Sequence, residues 1–400
     1  MIKKFISLVA REYQLFKKNN MLKLIILAGP FAFTFLIGFV YYNAKVTHLP
    51  IWVVNLDQTP MSNSIIDALN DNQYIRVKKV VYDVFEAREA MQSGKTEGVV
   101  TIPANFSADI NMKRHPEIQV DLNTINVLSS NYISTGILKT MGYLDAGISM
   151  ATLQKKGIPS SITASQYNSF NVNIARHYNP ETNYLRFLWP GIVGTILQQI
   201  FLMAIALIFT QEFEKGTFAE LITRTKSSTL MIFGKATPYL LYMIAIWAVI
   251  LYIVFPMFKI EVIGAFGNVA LVSLLFMLSL LAFGIMVSVF CRTQILATDI
   301  LMIISAPSFI ISGYTWPLSQ MPGFMQYLAN ILPLTHFLSA FRKVVFVGVS
   351  WQDVKPELQA LLILALVYGI LAIAVLKIKI YLETKKSSAV SISHDLPASK

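Results

Sequence analysis

Six apolar runs dominate the chain, at residues 22–42, 188–209, 230–255, 269–290, 295–313 and 358–380. Each holds about 20 residues, the length an α-helix needs to cross roughly 30 Å of hydrocarbon. The pattern before and between them differs. Residues 1–20 predict an amphipathic helix. Ile2, Phe5, Ile6, Val9, Tyr13 and Phe16 share one face, while Lys3, Lys4, Arg11, Lys17 and Lys18 lie mostly off it. Such a helix suits the headgroup layer. The run at 22–42 is too long for the core of a signal peptide and has no small-residue exit, so it reads as a retained first span.

Residues 43–184 predict a water-exposed α/β domain. Strand patterns at 51–57, 74–81, 98–103 and 117–123 alternate with helical patterns at 60–70, 83–94 and 104–112, and a long helix is expected over 130–156. Asp83 with Glu86 forms a capping-box pattern at one helix start. Residues 316–346 form a Pro-rich apolar hairpin whose two pieces, on either side of Pro333, are each too short to span. A re-entrant or interfacial hairpin is expected there, and a disordered cytoplasmic tail over 382–400. The expected fold class is thus a polytopic α-helical membrane protein with six transmembrane helices and an inserted extracytoplasmic α/β domain.

Composition agrees. Of 400 residues, 55% are hydrophobic and only 14% charged, which excludes an ordinary soluble domain. The net charge of +11 does not indicate nucleic acid, because Lys and Arg cluster beside the apolar runs. Lys215, Arg224, Lys226 and Lys235 flank the second and third runs, and Lys377, Lys379, Lys385 and Lys386 follow the last. With the basic N-terminal arm, they place both termini in the cytoplasm and the large domain outside. Cys291 is the only cysteine, so no intrachain disulfide forms.

The connection at 211–238 has its own pattern. Gly216 breaks the descending helix. Thr217, with Glu220 three residues on, predicts a capping box for a short helix within 212–226. Phe218, Leu221 and Ile222 fall on one face, and Glu212 and Glu214 precede the break. A tight loop with a solvated charged face and a surface pushed by a soluble partner both fit.

No catalytic constellation emerges, and His48, His115, His177, His336 and His394 show no metal-ligand spacing. Residues 93–98, SGKTEG, imitate a phosphate loop, but Glu89 stands where its first glycine belongs; Gly94 instead predicts a helix C-cap. Asp299 is an ionisable residue in the fifth run, with Arg292 two turns earlier on one face. A carboxylate at mid-bilayer costs about 3 kcal/mol, so a structural pair and a pathway role are both open. Gln198 and Gln199 either join helices or line a polar pathway.

Four stretches, in order, carry a resemblance: NLDQTPMS (55–62), YNPETNYLRFLWPG (178–191), EFEKGTFAELITRT with GKATP (212–225 and 234–238), and ISGYTWPLSQMPGFMQYLANILPLTHF (311–337). Together the chain resembles the permease subunit of ABC-2 type transporters, in the subgroup with a large external domain between the first two spans. Lys226 departs from the pattern, standing where a proline often follows the threonine.

The resemblance implies a drug-efflux type of exporter in a bacterial inner membrane, moving a small amphipathic or lipid-like compound. It implies that Glu212, Glu214, Gly216, Thr217, Phe218, Leu221 and Ile222 couple to an ATPase. The chain would bind no cofactor, ATP and Mg being held by a separate cytoplasmic ATPase subunit. The other implied partners are membrane lipid, a second permease copy facing the first, second and fifth spans and, in a Gram-negative host, a periplasmic adaptor protein. An ion-coupled secondary transporter and a membrane sensor are the rival classes. The first lacks a visible inverted repeat, and the second lacks a cytoplasmic signalling domain.

Overall fold

The computed structural model describes residues 2–43, 45–155, 177–180 and 182–394. The chain divides into two compact units, Met1–Ala44 with His177–Lys400, and Lys45–Arg176. The expected helix end at residue 156, and the stretch that follows it to 176, lie outside the described residues.

Among its described residues the first unit holds six helices long and apolar enough to cross a membrane. Spans one to six are Asn20–Val40, Tyr184–Glu214, Ser228–Met257, Phe266–Phe290, Gln294–Ile311 and Lys355–Lys385. Spans two and four form the centre: span one, span four and span five pack on span two, and span six runs along span four. Spans one and three each contain a π-helical turn, Leu24–Ala28 and Ile250–Val254. Both stand just ahead of a proline, Pro30 and Pro256. A proline ring presses on the carbonyl four residues back and brings no N–H to meet it, and a widened turn relieves both. Trp189 ties spans one and two, its indole Nε1 donating to the Thr34 carbonyl at 3.1 Å.

The apolar hairpin after span five contains two short helices, Gly323–Asn330 and Pro333–Arg342. Pro333 opens the second, where no backbone N–H is required. Phe337 stacks on Phe276 of span four at 3.9 Å between ring centroids. Arg342 lies 3.7 Å from the Tyr314 ring centre and donates to the Tyr314 carbonyl at 2.8 Å. The last helix continues to His394. The tail expected to be disordered from residue 382 is therefore helical that far: no glycine or proline interrupts it, and a helix already nucleated by a span extends at little cost. Residues 395–400 lie outside the described residues.

The second unit is built on a four-stranded sheet in the order β2-β1-β3-β4. β1 (Leu49–Asn55) runs parallel to β2 (Ile75–Val81) and β3 (Gly98–Ile102), and β4 (Gln119–Leu122) is antiparallel to β3. Helices Pro60–Asn70 and Val127–Lys155 cover one face, bringing Ile65, Leu69, Ile133 and Ile137 onto Ile51, Val53 and Val100. Helix Val84–Gln92 covers the other, with Ala87 and Ala90 against Trp52, Val54 and Val99. β1 is covered on both faces, which is why its sequence is nearly continuously apolar.

Local signals are partly as read. Gly94, at φ +71°, ends its helix in a Schellman motif, with Lys95 N bonded to Ala90 O and Gly94 N to Met91 O. Asp83 caps Phe85 N at 2.9 Å, but Glu86 pairs with Lys79 instead of closing the box. A box does form at Thr59 and Ser62. Beside it, Asp57 accepts from the hydroxyls of Thr59 and Ser107 at 2.5 and 2.6 Å. Burial pushes the Asp57 carboxyl up, yet these bonds outweigh it and hold the group below the usual carboxylate range.

Candidate functional site

The N-terminal helix, Ile2–Lys18, does not simply lie with its apolar face outward. Leu8, Glu12 and Phe16, spaced one helical turn apart, are its buried residues. They face span three. Phe16 stacks on Tyr242 at 4.4 Å between ring centroids. The approach is close at Gly234, where an added Cβ would stand 2.7 Å from Leu8 Cβ. Any larger residue there would push the helices apart.

That approach brings Glu12 to Lys235, one residue after Gly234. Lys235 Nζ reaches Glu12 Oε2 at 2.5 Å and Glu212 Oε1, at the end of span two, at 2.8 Å. Arg11 forks onto the same Glu212, Nη1 to Oε1 at 2.5 Å and Nη2 to Oε2 at 3.1 Å. Tyr239 donates its hydroxyl to Glu12 at 3.3 Å, and Thr217 donates to Glu212. Lys235, Glu12 and Glu212 are only 1%, 3% and 2% exposed. Two cations and two carboxylates thus balance, Arg11 reaching in from a partly exposed position (side chain 14% exposed) and the other three closed to water, with each carboxylate meeting more than one donor. Buried charges persist only when paired in this way. The cluster joins the N-terminal helix, span two, span three and the turn at Thr217 into one body.

The short helix follows at Phe218–Arg224, after Gly216 at φ +70°. Its expected capping box is not made. Thr217 has a helical backbone and no side-chain cap bond, because its hydroxyl is drawn to Glu212; Glu220 pairs instead with Arg224, at 3.1 Å. The expected apolar ridge exists, but it points inward. Phe218, Leu221 and Ile222 are 7%, 0% and 7% exposed, and Phe218 meets Phe213 edge to face. Glu212 is likewise an internal partner rather than a free surface carboxylate. Glu214 is exposed, yet it accepts from Gln294 N and Nε2 at 2.9 and 3.0 Å, tying span two to the start of span five.

What the short helix offers outward is Ala219, Glu220, Thr223 and Arg224. Beside them lies a cleft of about 650 Å³, lined also by Lys4, Ile222, Thr225, Lys226, Glu383 and Thr384. It brings the N-terminal helix, the short helix and the last helix together at one end of the bundle.

The polar residues inside the bundle join helices. Gln198 Nε2 donates to Ser308 at 2.8 Å, and Gln199 accepts from Ser305. Both bonds link span two to span five. Asp299 does not pair with Arg292: it lies on an exposed face of span five, with no hydrogen bond or ion pair among the described residues. Among the described residues no group of His, Cys, Asp or Glu is placed to hold a metal ion.

Arg11, Glu12, Lys235 and Tyr239 were not singled out by the sequence pattern as site residues. Glu12 carried a signal, being an acid on the line between Leu8 and Phe16. Lys235 carried one too, as a cation inside an apolar helix.

Six helices among the described residues, each long and apolar enough to cross a membrane, define a multi-pass membrane protein. The chain belongs to the ABC-2 family transporter proteins, whose pattern it matches over residues 21–374. Relatives are distant but extensive. The chain is 25% identical to "ABC transporter G family member 20" of Dictyostelium discoideum over 85% of its own length, and it spans only 46% of that larger protein. It is 24% identical to the probable multidrug ABC transporter permease YbhR of Escherichia coli (strain K12), covering 74% of this chain and 77% of the relative. It is 22% identical to the linearmycin resistance permease protein LnrN of Bacillus subtilis (strain 168), covering 88% and 94%. The chain is accordingly an ABC permease subunit, a transport component of its system.

Proposed function

We propose that this chain is the permease of an ATP-driven exporter that moves a small amphipathic compound out of the cytoplasm or inner leaflet. A separate cytoplasmic ATPase supplies the energy and holds ATP and Mg. The observation that carries the reading is the short helix Phe218–Arg224, seated on buried Phe218, Leu221 and Ile222 and held behind by the Glu212 cluster. A helix fixed in this way moves only with spans two and three, so a push on its outer face is transmitted to the bundle. The named roles of the E. coli and B. subtilis relatives favour drug-like cargo.

Two permeases would enclose the pathway. Spans one, five and six are the least buried inside the chain, at 22%, 22% and 17% of their most apolar stretch, against 67% for span two. Of these faces, those of spans one and five are assigned to a second copy or a related permease, with span two contributing a half-buried stripe that includes Thr195 and Gln199. Asp299 lies on the exposed face of span five, and we assign it to that pathway. An adaptor outside the membrane is a further partner for a Gram-negative host.

Co-expression with its ATPase tests the reading. Vesicles holding both chains should hydrolyse ATP in a vanadate-sensitive way and take up an amphipathic dye only when both are present. Uptake driven by an ion gradient without ATP would overturn it.

Orientation in the inner membrane, with both termini cytoplasmic, is tested separately. Cys291 is buried, so a cysteine introduced at exposed His115 in the second unit is the reactive thiol. It should react with an impermeant maleimide in intact cells, or in spheroplasts for a host with an outer membrane. Labelling only after lysis would reverse the assignment.

A further inference from the structure

Spans three and four part along their outer side. The floor of the opening is apolar and buried, formed by Trp247, Leu251, Val269 and Met277. Its one polar contact is internal: Trp247 Nε1 donates to Ser273 Oγ at 2.8 Å, so the indole needs nothing from a ligand. The rims are exposed Ile244, Leu274, Tyr252 and Phe266. Small residues, Ala248 and Ala270, keep the space open, a cleft of about 250 Å³. The π-helical turn Ile250–Val254 lies at its upper part, where span three is widened ahead of Pro256.

Past Leu251, Tyr252 and Phe266, which line both, the cleft opens into a wider hollow of about 720 Å³ at the loop between the two spans. Here the lining changes character. Lys259 and Glu261 stand at its wall, both exposed. Neither side chain has a hydrogen bond or ion pair among the described residues, and the two do not pair with each other. Lys259 has φ +56°, a left-handed backbone that a lysine adopts only where its surroundings impose it. Buried Phe258 and Ile260 on either side hold it there.

An apolar cleft that ends, at the edge of the membrane-spanning helices, in one free cation and one free anion has the complementarity of a single amphiphile. The cation suits a phosphate and the anion suits an ammonium. An anionic headgroup would satisfy Lys259 and leave Glu261 against like charge. A quaternary ammonium has no N–H to give a carboxylate, whereas a primary ammonium has three.

We propose that this cleft binds one membrane phospholipid with a zwitterionic, primary-amine headgroup, its chain along Trp247 and Met277, its phosphate at Lys259 and its ammonium at Glu261. The site lies on the outer side of spans three and four and stands whether or not the chain exports drugs. A bound lipid would fix the separation of these two spans.

Native mass spectrometry of the purified full chain tests it. The protein is exchanged into detergent carrying equal amounts of dioleoyl phosphatidylethanolamine, phosphatidylcholine and phosphatidylglycerol. One phosphatidylethanolamine per chain should be retained, at roughly tenfold preference over the other two. Glu261→Gln should remove the preference over phosphatidylcholine, and Lys259→Gln should weaken retention of all three. Both changes are in an exposed loop and leave the fold intact. Ala270→Trp, which fills the cleft, should abolish retention with an unchanged elution volume. Equal retention of the three lipids by the wild-type chain means only unselective solvation by the membrane, and overturns the proposal. An unaltered preference in Glu261→Gln overturns it too.

Discussion

Lys235→Met is expected to destabilise the permease by about 3–5 kcal/mol, the usual cost of removing one partner from a buried ion pair. The reason is specific to the cluster. Among the described residues, Lys235 is the only group that bonds both Glu12 and Glu212. Without it, Glu12 keeps only a 3.3 Å bond from Tyr239, and Glu212 must rely on Arg11 and Thr217. Two carboxylates would face each other in a space that water does not reach. The N-terminal helix should leave its seat on span three. A large fall in the unfolding midpoint and new protease cleavage before residue 20 would register this. Adding Glu12→Gln should restore part of the loss, because the uncompensated charge is then gone. If Lys235→Met melts with the wild-type protein, the cluster does not carry the N-terminal helix.

The second large effect concerns the short helix, where burial decides which substitution is informative. Leu221 is fully buried, so Leu221→Asp places a carboxylate in an apolar seat without a partner, at a cost of several kcal/mol. It should unseat the helix and reduce insertion, whatever the helix binds. Docking is better probed from the cleft. Ala219 is exposed and lines it. Ala219→Trp should leave insertion and thermal stability as they are, while lowering co-purification of the partner ATPase by tenfold or more, about 1.4 kcal/mol, together with vanadate-sensitive transport. Wild-type recovery of the ATPase with Ala219→Trp would detach the cleft from coupling. Exposed Arg224, opposite Glu220 at 3.1 Å, provides the comparison, since surface pairs of this kind contribute at most about 1 kcal/mol.

The two substitutions differ because the sequence pattern gave the short helix an apolar ridge without giving the ridge a direction. Phe218, Leu221 and Ile222 at helical spacing define a face; whether it meets a partner, a lipid surface or the rest of the chain depends on what stands opposite. In the structure Phe213 stands opposite Phe218. The same holds for Thr217. Its spacing to Glu220 fits a capping box, but the hydroxyl has a stronger acceptor in Glu212, an ionised group that the local pattern does not contain.

Length and composition determined, without further information, the six membrane helices, because the thickness of the hydrocarbon and the cost of unpaired backbone groups within it leave few alternatives. Alternation at period two, and its loss in the doubly covered β1, likewise made the α/β unit legible. The break at Gly216, the second helical start at Pro333 and the C-cap at Gly94 followed from backbone restrictions that a single residue imposes. Tertiary structure alone decided the site. Arg11 meets Glu212, and Glu12 meets Lys235, across about 200 residues of sequence. No local period encodes that separation; it arises because spans two and three bring their adjoining ends to the N-terminal helix, and because Gly234 lets that helix come near enough for the charges to touch.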